Sequence, residues 1–263
     1  MKTRVLSGLV MVPLLAILYF GGYVLFAACL CIGLMGVREF YNGFHAIGVK
    51  PSYPVACVAA GALYAVELFG GDHREWYMLW FFGVVLASLL YLFKIEERKL
   101  EDAMATITGI FYVVFFSFHV TLVDRTDYSL MVWLIVITAF GTDIMAYFSG
   151  YLLGKHKLCP KISPKKTIEG SIGGILGSVI LSGLFGWFFM PDVLVHCLVI
   201  GVLGGIVSQF GDLTASIFKR KMGIKDYGNL IPGHGGILDR FDSVLFTGPM
   251  VYYYIVLVMG YMA

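Results

Sequence analysis

The segment from residue 211 to residue 242 contains the densest group of side chains in the chain that could carry out chemistry. It reads GDLTASIFKRKMGIKDYGNLIPGHGGILDRFD and lies between two long apolar segments. Ionisable residues at the edge of a bilayer are costly unless they are paired or bound to a metal. A solvated cytoplasmic loop explains the basic residues Lys219, Arg220 and Lys221, but it does not explain Asp212 inside the apolar run. The segment therefore predicts a functional site.

Four aspartates have the spacing expected of metal ligands at one membrane face. Asp212 lies on a predicted helix with Ser216 four residues later on the same side. Asp239 and Asp242 lie three residues apart at the predicted start of the last helix, and Asp143 lies near the inner end of an earlier one. Carboxylate oxygens suit hard cations. The sequence predicts a metal site led by Asp212 and Asp239, with Asp143 or Asp242 completing it directly or through water.

Basic side chains accompany these aspartates and indicate a phosphate-bearing substrate. Metal-assisted phosphoryl or nucleotidyl transfer uses carboxylates to hold the metal and cations to neutralise charge on the leaving group. No GxxxxGK[ST] motif occurs, which disfavours a P-loop ATPase. The candidate phosphate contacts are Lys165, Lys166, Lys219, Arg220, Lys225 and Arg240.

A second basic segment precedes a glycine-rich apolar stretch, with Thr167 directly after Lys165 and Lys166. Threonine at this position could cap the following helix, and small residues on its first turns allow close helix packing. Two lysines at a helix start also form an anion site, together with backbone N–H groups and the positive end of the helix dipole. The positive-inside rule accounts for the same lysines, and the segment alone does not separate the two interpretations.

Composition predicts which elements must position these residues. Hydrophobic residues make up 59% of the chain, charged residues 14%, and the mean hydropathy is +0.84. Apolar segments of membrane-spanning length indicate a polytopic integral membrane protein. We expect an all-α fold with about nine transmembrane helices. The predicted helices cover residues 5–20, 22–41, 53–70, 75–93, 103–123, 129–152, 170–190, 193–218 and 239–262.

The distribution of basic residues predicts how the helices are oriented. With the N-terminus inside and the helices alternating, all of the 19 Lys and Arg residues except Arg74 and Arg125 fall at inner ends. Cytoplasmic loops carry such an excess of basic residues. The chain is therefore expected in a bacterial-type inner or plasma membrane, with its N-terminus and the predicted site cytoplasmic and its C-terminus outside.

The two halves of the chain differ in character. Residues 1–128 are interpreted as a transmembrane scaffold, in which Arg38 and Glu39 form an interfacial ion pair. Residues 129–263 contain every candidate site residue and are interpreted as the catalytic region. The five cysteines form no CxxC pair, so neither a disulfide framework nor a zinc site is expected.

Three motifs in the second half resemble those of one enzyme family. The longest runs from Ser216 to Asp242 and reads S-I-F-K-R-x4-K-D-x-G-N-x-I-P-G-H-G-G-I-L-D-R-F-D. Two shorter ones are D-x-x-A-Y-x-x-G from Asp143 and S-P-K-K-T-x-E-G from Ser163. Together they resemble the signature of the phosphatidate cytidylyltransferase family, also called CDP-diacylglycerol synthases. The first half is similar to that family only in its apolar, multi-span character.

The resemblance implies that CTP and a phosphatidate lipid react to give CDP-diacylglycerol and pyrophosphate, with magnesium required at one or two positions. We expect catalytic roles for Asp212, Asp239, Lys219, Arg220 and His234. A phosphomonoester is already substantially ionised near neutral pH, since its second pKa is about 6. His234 is therefore expected to position phosphate rather than to act as an obligatory base. The predicted substrate contacts are Lys165, Lys166, Thr167, Lys225, Arg240 and Ser216.

The expected partners are the two substrates and the bilayer, with no nucleic acid and with a homodimer as the assembly. Two other function classes stay open on the residues alone. An ion-coupled transporter would also bury carboxylates, but its polar residues should extend to both membrane faces. Another CTP-dependent lipid enzyme, such as a CDP-archaeol synthase or a polyprenol kinase, would present similar chemistry. Competition between phosphatidate and isoprenoid lipids would separate these enzymes.

Overall fold

The computed structural model describes residues 14–71, 75–230 and 235–260, which form a helical protein with one short β-hairpin. The chain divides into two compact units. Unit 1 comprises Met1–Phe118, Lys221–Arg240 and Ala263, and unit 2 comprises His119–Arg220 and Phe241–Met262. Each unit therefore contains part of the predicted functional segment.

Unit 1 is built from helices joined by short connections. Residues 14–20 are helical, and Gly21 and Gly22 follow with φ angles of 56° and 52°, which favour glycine. The helices are α1 (Gly22–His45), α2 (Tyr53–Phe69), α3 (Glu75–Leu90), α4 (Leu100–Gly109) and α5 (Phe116–Asp124), with a 3₁₀ turn at Tyr91–Phe93 and a π-helical segment at Ile110–Phe115. The last of these helices, α5, continues into unit 2.

Buried polar groups join the helices of unit 1. The Tyr41 hydroxyl on α1 donates to the carbonyl oxygen of Thr106 on α4 (2.7 Å), and Gly109 leaves room for the tyrosine ring. The Thr106 hydroxyl accepts the backbone N–H of Ser52, which precedes α2 (2.8 Å). Because buried polar groups need such partners, these bonds determine how α1 packs against α2 and α4. The same helix, α1, carries Glu39.

Unit 2 is organised around two helices that pack closely, α6 and α7. Strands β1 and β2 form an antiparallel hairpin between them, with Lys157 opposite Thr167. The elements are α6 (Val132–Leu153), β1 (Lys157–Cys159), β2 (Ser163–Thr167), α7 (Ile168–Phe189), α8 (Leu194–Lys221), α9 (Leu238–Phe241) and α10 (Val244–Val258), with 3₁₀ turns at Ser129–Met131 and Pro191–Val193. Most of α9 belongs to unit 1.

Small residues bring α6 and α7 together, as the sequence predicts. A Cβ added at Gly174 would lie 3.0 Å from the Cβ of Ala146, and one added at Gly170 would lie 2.8 Å from the Ala146 carbonyl oxygen. Small residues let helix backbones approach in an apolar environment, where packing drives association. This close approach brings the start of α7 next to the half of α6 that follows Asp143.

The described residues include six helical stretches that are long and apolar enough to cross a membrane, by length and composition alone. Two shorter apolar helices accompany them, Tyr53–Phe69 and Val244–Val258. The predicted class, a helical polytopic membrane protein, is confirmed, whereas the count of about nine spans is not. Most of the predicted 5–20 helix lies outside the described residues. The six stretches are Gly22–His45, Glu75–Phe93, Leu100–Asp124, Ser129–Leu153, Ile168–Phe189 and Pro191–Lys221.

One boundary near the site differs from its prediction. The predicted last helix, 239–262, is interrupted, because α9 ends at Phe241 and α10 begins at Val244. Asp239 and Asp242 therefore do not lie on one continuous helix, and that prediction is wrong. The Oδ1 atom of Asp242 accepts the backbone N–H of Ser243 (2.7 Å), a local bond that competes with helical pairing.

Candidate active site

A cavity of about 520 Å³ opens in unit 2, where the second half of α6, the hairpin, the start of α7 and α8 meet. Its apolar wall includes Ala146, Tyr147, Tyr151 and Leu158. The cavity therefore combines carboxylates and ammonium groups with apolar surface. Its polar and charged lining residues are Asp143, Lys157, Lys165, Lys166, Thr167, Ser171, Gln209 and Asp212.

The β1–β2 hairpin presents Lys157, Lys165 and Lys166 to this cavity. Glu169 binds the backbone at the base of the hairpin. The Glu169 carboxylate accepts the backbone N–H groups of Lys155 (3.1 Å) and His156 (3.2 Å), and one oxygen lies 2.6 Å from the Nδ1 of His156. A carboxylate that accepts several N–H bonds is a strong local tie. These contacts join the residues before β1 to the first turn of α7, where Glu169 lies. Lys165 and Lys166 lie on β2 between these two points.

Thr167 caps α7, as predicted. Its Oγ1 atom accepts the backbone N–H of Gly170 (3.1 Å). Such a side chain satisfies one of the unpaired N–H groups at a helix start, and the others retain the positive end of the helix dipole. Because Thr167 and Gly170 both line the cavity, this positive end lies at the cavity wall beside Lys166.

An ion pair between Lys166 and Asp212 lies in the cavity. The two side chains are 25% and 24% exposed, so water screens the pair only in part. The Ser216 hydroxyl, one turn later on α8, donates to the Oδ1 of Asp212 (3.4 Å), so the two residues do share a helix face. One turn earlier, Gln209 donates from Nε2 to the Ser171 carbonyl oxygen on α7 (3.2 Å). The pair thus links the hairpin to α8, and the amide links α8 to α7.

Asp242 lies in the turn between α9 and α10 and is 7% exposed. Burial, reinforced by the charges of Asp212 and Asp143 and opposed by that of Lys219, raises the pKa of Asp242 to about 8. Gly211 on α8 permits this arrangement, because a Cβ there would lie 2.7 Å from the carbonyl oxygen of Asp242. The three aspartates are therefore an electrostatically linked group within unit 2.

The carboxylates of unit 2 suit a hard divalent cation. Asp143, Asp212 and Asp242 offer oxygen donors only, and a cation would relieve the repulsion that the buried Asp242 experiences. Among the residues that the structure describes, no three His, Cys, Asp or Glu side chains are close enough to hold one ion together. The arrangement therefore fits a cation held by one or two carboxylates, with water and substrate completing its coordination, as Mg²⁺ commonly accepts.

Asp239 belongs to unit 1, where it binds the glycine-rich loop between α8 and α9, which the structure describes at residues 222–230 and 235–237. Its Oδ2 atom accepts the backbone N–H groups of Tyr227 (2.8 Å) and Gly236 (2.9 Å), and the residue is buried. The Nε of Arg240 is buried and has no hydrogen-bond partner within the described ranges, whereas Lys225 is exposed. Unit 1 thus holds a buried carboxylate whose position depends on the loop backbone.

Of the predicted site residues, five line the cavity, others belong to unit 2 without lining it or to unit 1, and His234 is not among the described residues. Arg220 is exposed and donates from Nε to the carbonyl oxygen of Ile162 at the hairpin (3.4 Å). His234 lies outside the described residues, so its role stays a prediction, as does a metal shared by Asp212 and Asp239. The predicted residues that line the cavity are Asp143, Lys165, Lys166, Thr167 and Asp212.

Sequence reasoning misses two residues of interest. Gln209 lines the cavity, and its only signal in the sequence is an amide within an apolar run. Glu39 is interpreted from the sequence as half of an ion pair with Arg38, yet its carboxylate accepts two backbone N–H groups from the glycine-rich loop. No local pattern could have indicated that contact, since the partners are 198 and 199 residues away in sequence.

Comparison with known proteins identifies the family. The model of the cytidylyltransferase family matches residues 2–258. The chain belongs to the cytidylyltransferase family. Proteins named phosphatidate cytidylyltransferase are 34% identical to it in Synechocystis sp., over 97% of both chains, and 34% identical in Staphylococcus haemolyticus, over 95% of this chain and 97% of the relative. The protein of that name from Bacillus subtilis is 38% identical over 66% of each chain. The family resemblance of the three motifs is thereby confirmed.

Proposed function

We propose that this integral membrane cytidylyltransferase converts CTP and phosphatidate to CDP-diacylglycerol and pyrophosphate. The observation that carries the proposal is the near full-length similarity to proteins named for this activity. The cavity of unit 2 supports it chemically, because it offers ammonium groups for phosphates beside carboxylates for a cation. Its apolar wall is suited to the glyceride portion of a lipid.

In this reaction the α-phosphorus of CTP loses its bond to the oxygen of the β-phosphate and gains a bond to an oxygen of phosphatidate. An oxygen of the phosphatidate monoester attacks the α-phosphorus of CTP, the bond from that phosphorus to the oxygen bridging it to the β-phosphorus breaks, and pyrophosphate leaves with the electron pair. The attacking oxygen is already largely ionised near neutral pH, because the second pKa of a phosphomonoester is about 6. The protein therefore needs to align two anions and stabilise the departing charge, and it does not need a strong base.

The basic side chains of the cavity supply that stabilisation. Lys166 is held beside Asp212, and Lys165 is exposed on the same strand. We assign both to the phosphates of CTP, where the positive start of α7 adds to their charge. Lys219 and Arg220, at the end of α8, are assigned to the lipid phosphate or the leaving pyrophosphate. Holding two phosphate groups in line in this way accounts for much of the rate in phosphoryl transfer.

A magnesium ion is the cofactor that we assign to the aspartates. Asp212 and Asp242 would hold it, with Asp143 acting through water, whereas the sequence-based assignment of Asp239 as a metal ligand stays a prediction. When bound, the ion would polarise the α-phosphate and neutralise charge on pyrophosphate. Lys166 forms an ion pair with Asp212, so this ammonium group lies next to the proposed position of the ion.

The location of the site suits the two substrates. The predicted orientation puts the hairpin and the end of α8 at the cytoplasmic face, because both are rich in basic residues. CTP would enter from water, and phosphatidate would enter sideways from the bilayer. The homodimer implied by the resemblance stays a prediction.

The proposal is tested with purified protein in detergent, CTP, phosphatidate and MgCl₂. We expect equal amounts of pyrophosphate and CDP-diacylglycerol, with formation of both products stopped by EDTA. Competing phosphatidate with an archaeol phosphate and with a polyprenol identifies the lipid class. Turnover of only an isoprenoid lipid, or cation flux in liposomes without nucleotide turnover, would show that the proposal is wrong.

A further inference from the structure

Glu39 occupies an unusual position for a carboxylate on a transmembrane helix. It is half-buried on α1, and each of its two oxygens accepts a backbone N–H from the glycine-rich loop of unit 1. Oε1 accepts that of Ile237 (3.0 Å), and Oε2 accepts that of Leu238 (2.9 Å). Both oxygens of one side chain are therefore satisfied by backbone donors, as buried polar groups require. One side chain of the N-terminal half thus holds two consecutive residues directly before Asp239.

Two glycines of the loop make room for this carboxylate. A Cβ at Gly228 would lie 2.6 Å from the Oε1 of Glu39, and a Cβ at Gly236 would also overlap the carboxylate. The same Cβ at Gly228 would lie 3.3 Å from the Cα of Gly236. Two segments of the loop therefore meet at Glu39, and a larger residue at either glycine would collide with its carboxylate and force it to move.

Asp239 also joins these two segments of the loop. Its Oδ2 accepts the backbone N–H of Tyr227 in one segment and the backbone N–H of Gly236 in the other. The residue after Glu39 contributes as well, because the Phe40 ring packs against the ring of Tyr227 with centroids 5.9 Å apart. The position of the Asp239 carboxylate therefore depends on the loop, and the loop depends on Glu39.

We propose that Glu39 is a positioning residue for Asp239 in cytidylyl transfer. It touches neither substrate. It binds the two N–H groups that precede Asp239 and so determines where that carboxylate lies. The N-terminal half, interpreted from the sequence as scaffold, thereby takes part in the reaction. The catalytic part of this inference rests on the proposed function, whereas the loop-ordering part does not.

The first test is amide hydrogen exchange of the intact protein in detergent. The variant Glu39→Gln keeps the side-chain volume but replaces one acceptor oxygen by an amide donor, which faces an N–H group. We expect peptides covering residues 235–241 to exchange at least about tenfold faster, since a lost bond unprotects those amides. The matched control is Glu97→Gln, because Glu97 is an exposed carboxylate whose contact is a 4.0 Å pair with Lys94. Equal exchange in Glu39→Gln and wild type would overturn the proposal.

The second test separates turnover from binding. A lost supporting contact of this kind commonly costs about 10- to 100-fold in activity, and we expect Glu39→Gln to lose that much in kcat with little change in the KM for CTP. Glu39→Asp retains the charge with a shorter reach, and we expect it to recover part of kcat. An unchanged kcat in both variants, or a loss confined to KM, contradicts the assignment.

Folding and function can be distinguished in the same experiment. If Glu39→Gln is not recovered as a monodisperse protein, the same two measurements are made on Glu39→Asp. A wild-type kcat together with wild-type hydrogen exchange in Glu39→Asp would then overturn the proposal. If the wild-type protein makes no CDP-lipid, the proposed function fails, and the exchange measurement still decides whether Glu39 orders the loop.

Discussion

A carboxylate in or near a membrane needs a compensating partner, and the aspartates of this enzyme use different ones. Asp212 is paired with Lys166. Asp239 accepts two backbone N–H groups. Asp242 accepts the backbone N–H of Ser243 and lies near two like charges. Protein donors therefore already face Asp212 and Asp239, whereas Asp242, whose pKa is raised by burial, is the one that would gain most from a bound cation.

Asp212→Asn should reduce CDP-diacylglycerol formation by about 10²- to 10³-fold, the usual effect of removing one preorganised electrostatic group. The amide keeps the shape and still accepts from Ser216 but carries no charge for Lys166 or for a cation. Initial rates measured with labelled CTP test this expectation. Lys94→Gln is the control, since Lys94 lies on a different loop and its contact is the weak surface pair with Glu97. A near-normal rate in Asp212→Asn would remove Asp212 from the metal site.

Asp242→Asn should abolish activity without lowering thermal stability. Asparagine can still accept the N–H of Ser243, and it is neutral, like the form of the Asp242 carboxyl that its raised pKa favours. We expect the melting temperature without magnesium to be unchanged or a few degrees higher, and stabilisation by MgCl₂ to be lost. Thermal unfolding in detergent, with and without MgCl₂, measures both effects. A clear fall in melting temperature without magnesium would instead indicate that Asp242 is structural.

Helix packing determines where these side chains meet. Glycines on α7 let it approach α6, and the hairpin between the two helices is closed at its base by Glu169. The cavity forms where these elements and α8 converge. One hairpin lysine, Lys166, therefore reaches Asp212 on α8, and the geometry that allows this contact depends on the glycines of α7 and on Glu169.

Gly211→Ala tests the contact between α8 and the Asp242 turn. The added Cβ would lie 2.7 Å from the Asp242 carbonyl oxygen and 3.0 Å from the Cα of Ser243, so the turn must move. Such overpacking destabilises by about 1–3 kcal/mol, and we expect a lower melting temperature together with reduced activity. The control Gly61→Ala adds a Cβ on α2 with no atom within 4 Å. It should be neutral or stabilising, since alanine favours helix. Equal melting temperatures for Gly211→Ala and wild type would contradict the expectation.

The whole molecule is a membrane protein with two compact units, and neither unit coincides with one half of the sequence. Unit 1 takes residues 221–240 from the second half of the chain. As a consequence, residues from both halves of the sequence are in contact within unit 1: Glu39 on α1 binds the loop that follows α8. The division of the chain at residue 128 stays a prediction.

The orientation predicted from basic residues is tested by labelling cysteines from one side of the membrane. Lys161→Cys lies in the hairpin, and Asp127→Cys lies in a connection predicted to be outside. In intact cells, an impermeant maleimide should label Asp127→Cys and should label Lys161→Cys only after the membrane is opened. The opposite pattern would reverse the topology and move the site away from cytosolic CTP.

The sequence alone determined the membrane class and the family, and it predicted most of the charged residues that line the cavity of unit 2. Composition, apolar segment length and the motif from Ser216 to Asp242 are local properties, so they can be read without knowing the fold. The N-cap at Thr167 and the close packing of α6 and α7 follow from local residue types in the same way.

Tertiary structure decided which of those residues are partners. Tertiary packing brings Lys166 to Asp212. It also brings the Glu39 carboxylate to two residues that are 198 and 199 positions away in the sequence. A periodic pattern assigns a residue to a helix face, but it carries no information about the chain segment that faces it. For that reason, the segment from residue 211 to residue 242 appeared from the sequence to be one site. The structure instead assigns its two ends to one unit and its middle to the other.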